Sequence, residues 1–304
     1  MLNVTPRPKR ASELCLERNS RQLPFYLTTG SECVDHLLGG HGWVSGEVSE
    51  ICGSSSAGKT QMCLNTLVAM LARDKGSRAI WIDTLDGGFS AQRASDVIRT
   101  YNSRQKGPLD DGQFEGETPI EVYSCRDVYD VVNAIETIHA DLEQGPSVSD
   151  STTRLVIIDS LTKVLTGLLR GVDGVGHATM IHTARELRRL ASDFGLVLLV
   201  TTSTVHVSYP EEQTPSILMA NNAKPSLGST WRYATDLQLY ITRMSRSSDQ
   251  QSVESLVKNE NGGGNNDEGA EQDASGNNGP SRLAEIMKSK HLKIGEWCLF
   301  DLAL

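Results

Sequence analysis

The sequence lacks closely spaced cysteine pairs and long apolar runs. Its six cysteines are scattered over 304 residues without a Cys-x-x-Cys motif, which argues against zinc and favours free thiols in a reducing compartment. No apolar stretch is as long as a membrane helix, and the N-terminus MLNVTPRPKRAS lacks the apolar segment of a signal peptide. These absences predict a soluble intracellular protein with no membrane partner.

Positive charge is also scarce. The net charge is −9, which is unfavourable for a nucleic-acid binder. Residues 247–280 alone hold seven acidic residues and one lysine, so the remainder is only mildly acidic. This segment is rich in Gly, Asn and Ser and poor in large apolar residues, and we expect residues 246–281 to be a disordered acidic insertion. The rest of the chain has room for a local DNA site, but its charge does not support one.

The stretch CGSSSAGKTQ, residues 52–61, has the Gly-x-x-x-x-Gly-Lys-Thr spacing of a phosphate-binding loop. EVSEIC before it has strand character, and QMCLNTLVAMLARD after it has helical periodicity. Small residues let backbone N–H groups close around phosphate oxygens, while the lysine reaches the β- and γ-phosphates and the threonine reaches magnesium. The alternative is a small-residue turn that precedes a lysine by chance. The predicted nucleotide-binding residues are Gly53, Ser54, Ser55, Ser56, Ala57, Gly58, Lys59, Thr60 and Gln61.

Strand and helix patterns alternate after this loop. Apolar runs at 78–83, 119–125, 154–160 and 195–203 predict strands, and helices are predicted at 90–101, at 126–142 and between the last two strands. This order predicts an α/β fold with a mostly parallel central sheet flanked by helices on both faces. Its ligand should lie at the carboxyl ends of the strands, where the phosphate loop also lies.

Asp159 ends the apolar run RLVIID, residues 154–159. A carboxylate delivered by a buried strand next to a phosphate loop organises magnesium in many nucleotide-hydrolysing proteins. The alternative is an acid that caps the following segment. We predict that Thr60 and Asp159 together hold the metal.

Several longer segments resemble the RecA-type recombinase family, and within it the D-type group of eukaryotic recombinase paralogues. The segments are LTTGSECVDHLLGG (27–40), WIDTLDGGFSAQR (81–93), LVIIDSLTKVL (155–165), KPSLGSTW (224–231) and RLAEIMKSKHLKIGEWCLFDL (282–302). The first and fourth are more specific than the phosphate loop, which many unrelated nucleotide-binding proteins share.

The resemblance implies a RecA-like P-loop ATPase core at 27–245, completed by C-terminal strands at 282–304 and preceded by a tail and linker at 1–26. It implies a nuclear protein that binds ATP and Mg²⁺ at a subunit interface and forms a hetero-oligomer with other recombinase paralogues. Such a complex would act on the recombinase filament on single-stranded DNA, in homologous recombination and double-strand break repair. Single-stranded DNA is a candidate ligand of the chain itself.

The resemblance also assigns site residues, with departures from the family pattern. Arg93 matches an arginine near the adenine. Active recombinases have a water-activating glutamate where Leu85 and Asp86 stand here, so Asp86 is the candidate catalytic base beside Lys59. Ser203 replaces a glutamine that senses the γ-phosphate.

The segments that would face DNA are 166–178 and 204–223, and Arg170 is the DNA candidate in the first of them. Lys288 and Lys290 are candidates for cations donated to the γ-phosphate of a neighbouring subunit; the alternative is a solvated basic turn. For the whole chain, the alternatives to a recombination mediator are an independent DNA-stimulated ATPase, for which Asp86 would be the base, or a phosphoryl-transfer enzyme on a small substrate.

Overall fold

The computed structural model describes residues 23–74, 76–85, 88–90, 92–97, 99, 119–144, 152–169, 171, 174–208, 216–244 and 281–302. The predictions for Asp86, Arg170, the N-terminal tail up to residue 22 and the acidic insertion up to residue 280 therefore lie outside the described residues. Within the described ranges, none of the helices combines the length and the apolar character needed to span a membrane.

The strands and helices follow the chain in an alternating order. The strands are β1 (Tyr26–Leu27), β2 (Trp43–Val44), β3 (Val48–Gly53), β4 (Ser77–Asp83), β5 (Ile120–Ser124), β6 (Thr152–Asp159), β7 (Val197–His206), β8 (Ala223–Pro225), β9 (Leu237–Arg243), β10 (Arg282–Lys288) and β11 (Trp297–Phe300). The helices are α1 (Glu32–Leu37), α2 (Lys59–Arg73), α3 (Val128–Glu143), α4 (Leu161–Leu169), α5 (Val175–Phe194), α6 (Ile217–Ala220) and α7 (Gly228–Ala234). Residues 92–97 are also helical.

A nine-stranded sheet forms the centre of the molecule, in the order β11-β10-β9-β3-β7-β6-β4-β5, with β8 paired to β7 outside this path. The strands from β9 to β5 in this order run parallel, whereas β10 and β11 are antiparallel additions. The strand β3 lies in the middle of the sheet and is buried between β9 and β7, and the loop that follows it leaves from there. The predicted α/β class and mostly parallel sheet are confirmed.

Apolar side chains cover both faces of the sheet. In β6, Leu155 and Ile157 pack in the core formed with α2, while Val156 and Ile158 pack in the core formed with α3 and α5. Because successive strand residues point to opposite faces, a strand buried on both faces needs an unbroken apolar run. The prediction of a fully buried strand from the run LVII is therefore confirmed.

Two features of the chain differ from the sequence-based expectation. The segment between β6 and β7 contains two helices, α4 and α5, rather than one long helix. Gly171 is not helical and Gly174 has φ of 73° before α5 begins, and glycine has low helix propensity. In addition, β7 continues to His206, three residues beyond the predicted strand end, because its last residues pair with β8.

The strands on either side of the acidic insertion are directly joined. Arg243 of β9 pairs with Arg282 of β10, and the backbone N–H of Met244 donates to the carbonyl of Ser281 at 3.0 Å. The two ends of the insertion therefore lie next to each other at the carboxyl ends of the parallel strands, where β3 also ends.

Candidate nucleotide site

The phosphate-loop sequence forms a turn between β3 and α2. β3 is buried along its whole length, and α2 begins at Lys59. Gly58 has φ of 109°, a conformation that side-chain-bearing residues rarely adopt. The three serines of the loop are exposed, whereas Ala57 is buried. The loop thus presents small residues and the positive end of a 15-residue helix to solvent, which favours binding of an anion.

The Lys59 side chain reaches back across this loop to its first two residues. Its Nζ donates to the carbonyl oxygen of Gly53 at 2.9 Å and to that of Ser54 at 2.7 Å. Burial lowers the pKa of Lys59 below its ordinary value, and the nearby Asp159 carboxylate opposes that effect. The cation is therefore held where phosphate oxygens of a bound nucleotide would replace two neutral carbonyls as partners.

Thr60 and Asp159 meet although they are far apart in the sequence. The Thr60 hydroxyl donates to Oδ2 of Asp159 at 2.6 Å. The other carboxylate oxygen accepts a hydrogen bond from the Thr201 hydroxyl of β7, and both Asp159 and Thr201 are buried. The carboxylate is held by two hydroxyl groups, one on each oxygen, at the carboxyl end of β6.

This pair fits a magnesium ion that is shared with a nucleotide. No group of three or more His, Cys, Asp or Glu residues that would enclose a metal occurs in the described part of the chain. Magnesium in nucleotide sites is held by one or two protein oxygens together with phosphates and water. One hydroxyl and one carboxylate match this requirement, and the phosphates would supply further oxygen ligands.

The position that the resemblance assigns to the water-activating glutamate follows β4. The Asp83 carboxylate accepts hydrogen bonds from the backbone N–H of Leu85 at 2.8 Å and of Phe89 at 3.3 Å, so it holds the backbone of both residues. The Leu85 side chain is 39% exposed and carries no titratable group. Asp83 also pairs in register with Asp159 on the neighbouring strand. Whether Asp86 serves as a base stays a prediction.

Ser203 lies beside the phosphate loop. It pairs in register with Gly53, the first residue of the loop, across the parallel strands β3 and β7. Its backbone N–H donates to the Thr162 hydroxyl at 2.9 Å and its carbonyl accepts from the Ser226 N–H at 2.9 Å. The position has direct access to the loop, but the serine side chain is shorter than the glutamine of active recombinases.

The remaining predicted site residues are placed as follows. The Gln61 side chain is buried, and its Nε2 lies 3.4 Å from Oδ1 of Asn65, while its backbone lies in the first turn of α2, directly after the loop. Arg93 is exposed in the helical segment at 92–97, with its backbone N–H 3.3 Å from the Ser90 hydroxyl. Its role at an adenine stays a prediction.

Lys288 and Lys290 lie near the amino ends of the parallel strands, on the opposite side of the sheet from the phosphate loop. Lys288 donates to the carbonyls of Arg232 and Thr235, and Lys290 forms an ion pair with Asp236 at 2.6 Å. The other oxygen of Asp236 accepts from the N–H of Val48, at the start of β3. The phosphate loop follows the end of β3, about 20 Å away along the strand. These lysines therefore do not reach the nucleotide site of their own subunit.

One residue close to the phosphate loop was not predicted from the sequence. Arg282 of β10 is 8% exposed, and its Nε donates to the carbonyl of Ala57 at 3.0 Å. The sequence shows only that a strand pattern begins there, after a long polar segment. No local pattern indicates that the first residue of this strand contacts a loop 225 positions earlier.

The buried strand, the glycine-containing loop, the lysine and the paired hydroxyl and carboxylate define a P-loop nucleotide-binding core of the RecA type. A family model described as Rad51 matches residues 20–255, and the chain belongs to the Rad51 family. The sequence-based resemblance to RecA-type recombinases is thereby confirmed. Family membership implies nucleotide binding.

Curated relatives give the same picture. The chain is 30% identical over 215 residues to "DNA repair protein RAD51 homolog 4" of Bos taurus and 28% identical over 215 residues to the protein of that name in Mus musculus, in each case over 71% of this chain and 60% of the relative. It is 25% identical over 251 residues to "Probable DNA repair protein RAD51 homolog 4" of Dictyostelium discoideum, over 73% of this chain and 67% of the relative. The aligned region therefore spans about 60% of the length of the two mammalian relatives.

Proposed function

We propose that this protein is an ATP-binding recombinase paralogue that assists homologous recombination and DNA double-strand break repair in the nucleus. It acts as one subunit of a complex with other recombinase paralogues, and that complex works on the recombinase filament on single-stranded DNA. The names of the relatives, each a DNA repair protein homologous to RAD51, support the process. The nucleotide site supports the ATP dependence.

The observation that carries the ATP assignment is the contact of Thr60 with Asp159 at 2.6 Å, beside the loop that Lys59 spans. Magnesium, when bound, would neutralise phosphate charge between these two side chains. Lys59 would exchange its two carbonyl partners for phosphate oxygens. The backbone N–H groups at the start of α2 would bind the phosphates on the remaining side.

We further propose that nucleotide occupancy controls assembly more than turnover. Leu85 and Asp86 stand where active recombinases have the water-activating glutamate, and Ser203 is too short to span from β7 to a γ-phosphate as a glutamine would. The first departure weakens activation of water and the second removes the γ-phosphate sensor, while the groups that hold the nucleotide are retained. A tightly held nucleotide can then act as part of an interface.

A second candidate function is an independent DNA-stimulated ATPase. It requires Asp86 to activate water, although aspartate is one methylene shorter than glutamate and a base must come within hydrogen-bond reach of its water. Asp86→Asn would abolish turnover if this reading holds. Turnover that is unaffected by Asp86→Asn would exclude Asp86 as the base.

Affinity purification of the tagged full-length protein from cells tests the main proposal. We expect other recombinase-like chains to copurify, and we expect their recovery to fall when the cell extract is depleted of ATP. A Lys59→Ala bait is the matched control, because it should reduce the same partners without changing expression. Recovery of no recombinase-like chain by either bait would overturn the proposal.

A further inference from the structure

Strand β10 lies against the phosphate loop on the side away from solvent. Arg282, the first residue of this strand, donates from Nε to the Ala57 carbonyl at 3.0 Å. A Cβ atom built on Gly58 would lie 2.7 Å from the same Nε and 2.4 Å from Cδ1 of Leu302. The strand and the chain that follows β11 therefore fill the space directly behind the Ala57–Gly58 peptide.

The geometry of a peptide unit makes this contact directional. The Ala57–Gly58 bond is not among the cis peptide bonds, and in a trans unit the carbonyl and the next N–H lie in one plane and point in opposite directions. Holding the Ala57 carbonyl toward Arg282 therefore turns the Gly58 N–H away from it. Backbone N–H groups of a phosphate loop cradle the phosphates, so an N–H that points away from the buried Arg282 side chain can take part in that cradle.

We infer that Arg282 is a positioning residue of the nucleotide site, which orients the Gly58 N–H toward a bound phosphate by fixing the Ala57 carbonyl. The inference rests on the proposed function, since it assumes that the loop binds a nucleotide. It adds a residue from beyond the acidic insertion to a site otherwise built from β3, α2, β6 and β7. Arg282 acts on the nucleotide through the backbone and not by contact.

Two other roles for the same side chain make different predictions. If Arg282 served the nucleotide by its charge, a lysine would replace it and a neutral residue would not. If it served only to hold β10 on the core, its loss would lower thermal stability without a specific loss of affinity. The positioning role requires an N–H donor at one particular point of the side chain.

Glutamine and lysine separate these roles. The Nε2 of glutamine is the same number of bonds from Cα as the Nε of arginine, so Arg282→Gln keeps the donor at that point and removes the charge. Arg282→Lys keeps the charge and places its nitrogen one bond further out. Arg282→Met removes both, and Arg243→Met is the matched control, because Arg243 is the exposed cross-strand neighbour of Arg282.

The experiment measures Mg-ATP and Mg-ADP affinity of the full-length protein by isothermal titration calorimetry, with thermal unfolding of each nucleotide-free variant. We expect Arg282→Met and Arg282→Lys to weaken binding of both nucleotides about ten-fold, the cost of one misdirected hydrogen bond to a charged group. Arg282→Gln should stay within about three-fold of the unmutated protein, and Arg243→Met within about two-fold.

The outcomes distinguish failure of the positioning role from failure of the proposed function. Affinity of Arg282→Lys equal to or better than that of Arg282→Gln would overturn the positioning role, even if Arg282→Met did not fold. Unchanged affinity in a folded Arg282→Met would overturn it as well. Failure of the unmutated protein to bind either nucleotide would instead overturn the proposed function.

Discussion

Replacing Lys59 by alanine should weaken nucleotide binding and leave the fold intact. The side chain points along the loop and not into either core, and its two hydrogen bonds go to the carbonyls of Gly53 and Ser54. The residue begins α2, whose buried face starts at Gln61. Alanine also has the highest helix propensity, so the helix keeps its start.

The size of the effect follows from the exchange of partners. The present bonds of Lys59 already have a charged donor, and a hydrogen bond to one charged group contributes about 1.5–3 kcal/mol. Phosphate oxygens add a charge on the acceptor, and we take the resulting net gain on binding as about 1–3 kcal/mol. ATP affinity should therefore fall about 5- to 150-fold. The nucleotide-free protein loses only partly exposed contacts, which lowers the melting temperature by about 2–4 °C.

Isothermal titration calorimetry with Mg-ATP measures the affinity, and differential scanning fluorimetry without nucleotide measures stability. Lys293→Ala is the control, because Lys293 is 76% exposed and pairs only weakly with Glu296 at 3.6 Å. Unchanged ATP affinity of Lys59→Ala would refute the site assignment. A collapse of stability would refute the view that Lys59 serves the ligand rather than the fold. Lys59→Arg keeps the charge with a different shape, and it should retain binding but not hydrolysis.

Three further predictions concern other parts of the chain. Deletion of residues 247–280 with a short linker should change the melting temperature by less than about 2 °C, because the flanking strands are already joined and loop length costs little free energy; a drop of many degrees would show that the segment contributes to the fold. A Lys288→Ala, Lys290→Ala double variant should keep its own ATP affinity but lose ATP-dependent recovery of partners in pull-downs, whereas partner recovery at the unmutated level would exclude a role across the interface. Burial raises the pKa of Glu285, which accepts the first N–H groups of α6, from 4.5 to about 7. The folded state therefore binds this proton more tightly, and stability should fall as pH rises from about 5 to 7. Glu285→Gln should flatten that part of the pH profile by up to about 3 kcal/mol in chemical unfolding; coincident slopes for the two proteins would contradict the assignment.

The local parts of the site were predictable because their determinants are adjacent in the sequence. The loop from Gly53 to Thr60 needs small residues, one lysine and one hydroxyl at fixed spacing, and all of them lie in one continuous short stretch of the sequence. The strand before it and the helix after it follow from apolar periodicity. Asp159 was predictable for the same reason, since it ends an unbroken apolar run.

The contacts among these parts depend on long-range packing. Thr60 meets Asp159 across 99 residues, and Thr201 meets Asp159 across 42. Thr201 and Thr202 of β7 are adjacent in the sequence, yet Thr201 donates to the Asp159 carboxylate, the candidate metal ligand, while Thr202 donates to the buried Glu50 on the opposite face of the sheet. The alternation of a strand allows either assignment until its neighbours in the sheet are known.

The sequence by itself determined the fold class, the phosphate loop and the family, because each is written in short-range patterns of residue type. Tertiary structure alone decided that β10 returns after the acidic insertion to lie beside β9. The same pairing places Arg282 against the phosphate loop and places Lys288 and Lys290 near the amino ends of the parallel strands. The physical reason is that β10 runs antiparallel to its neighbours, so its first residue lies at the carboxyl ends of the parallel strands and its last residue at their amino ends. Only the pairing of strands sets this direction and register.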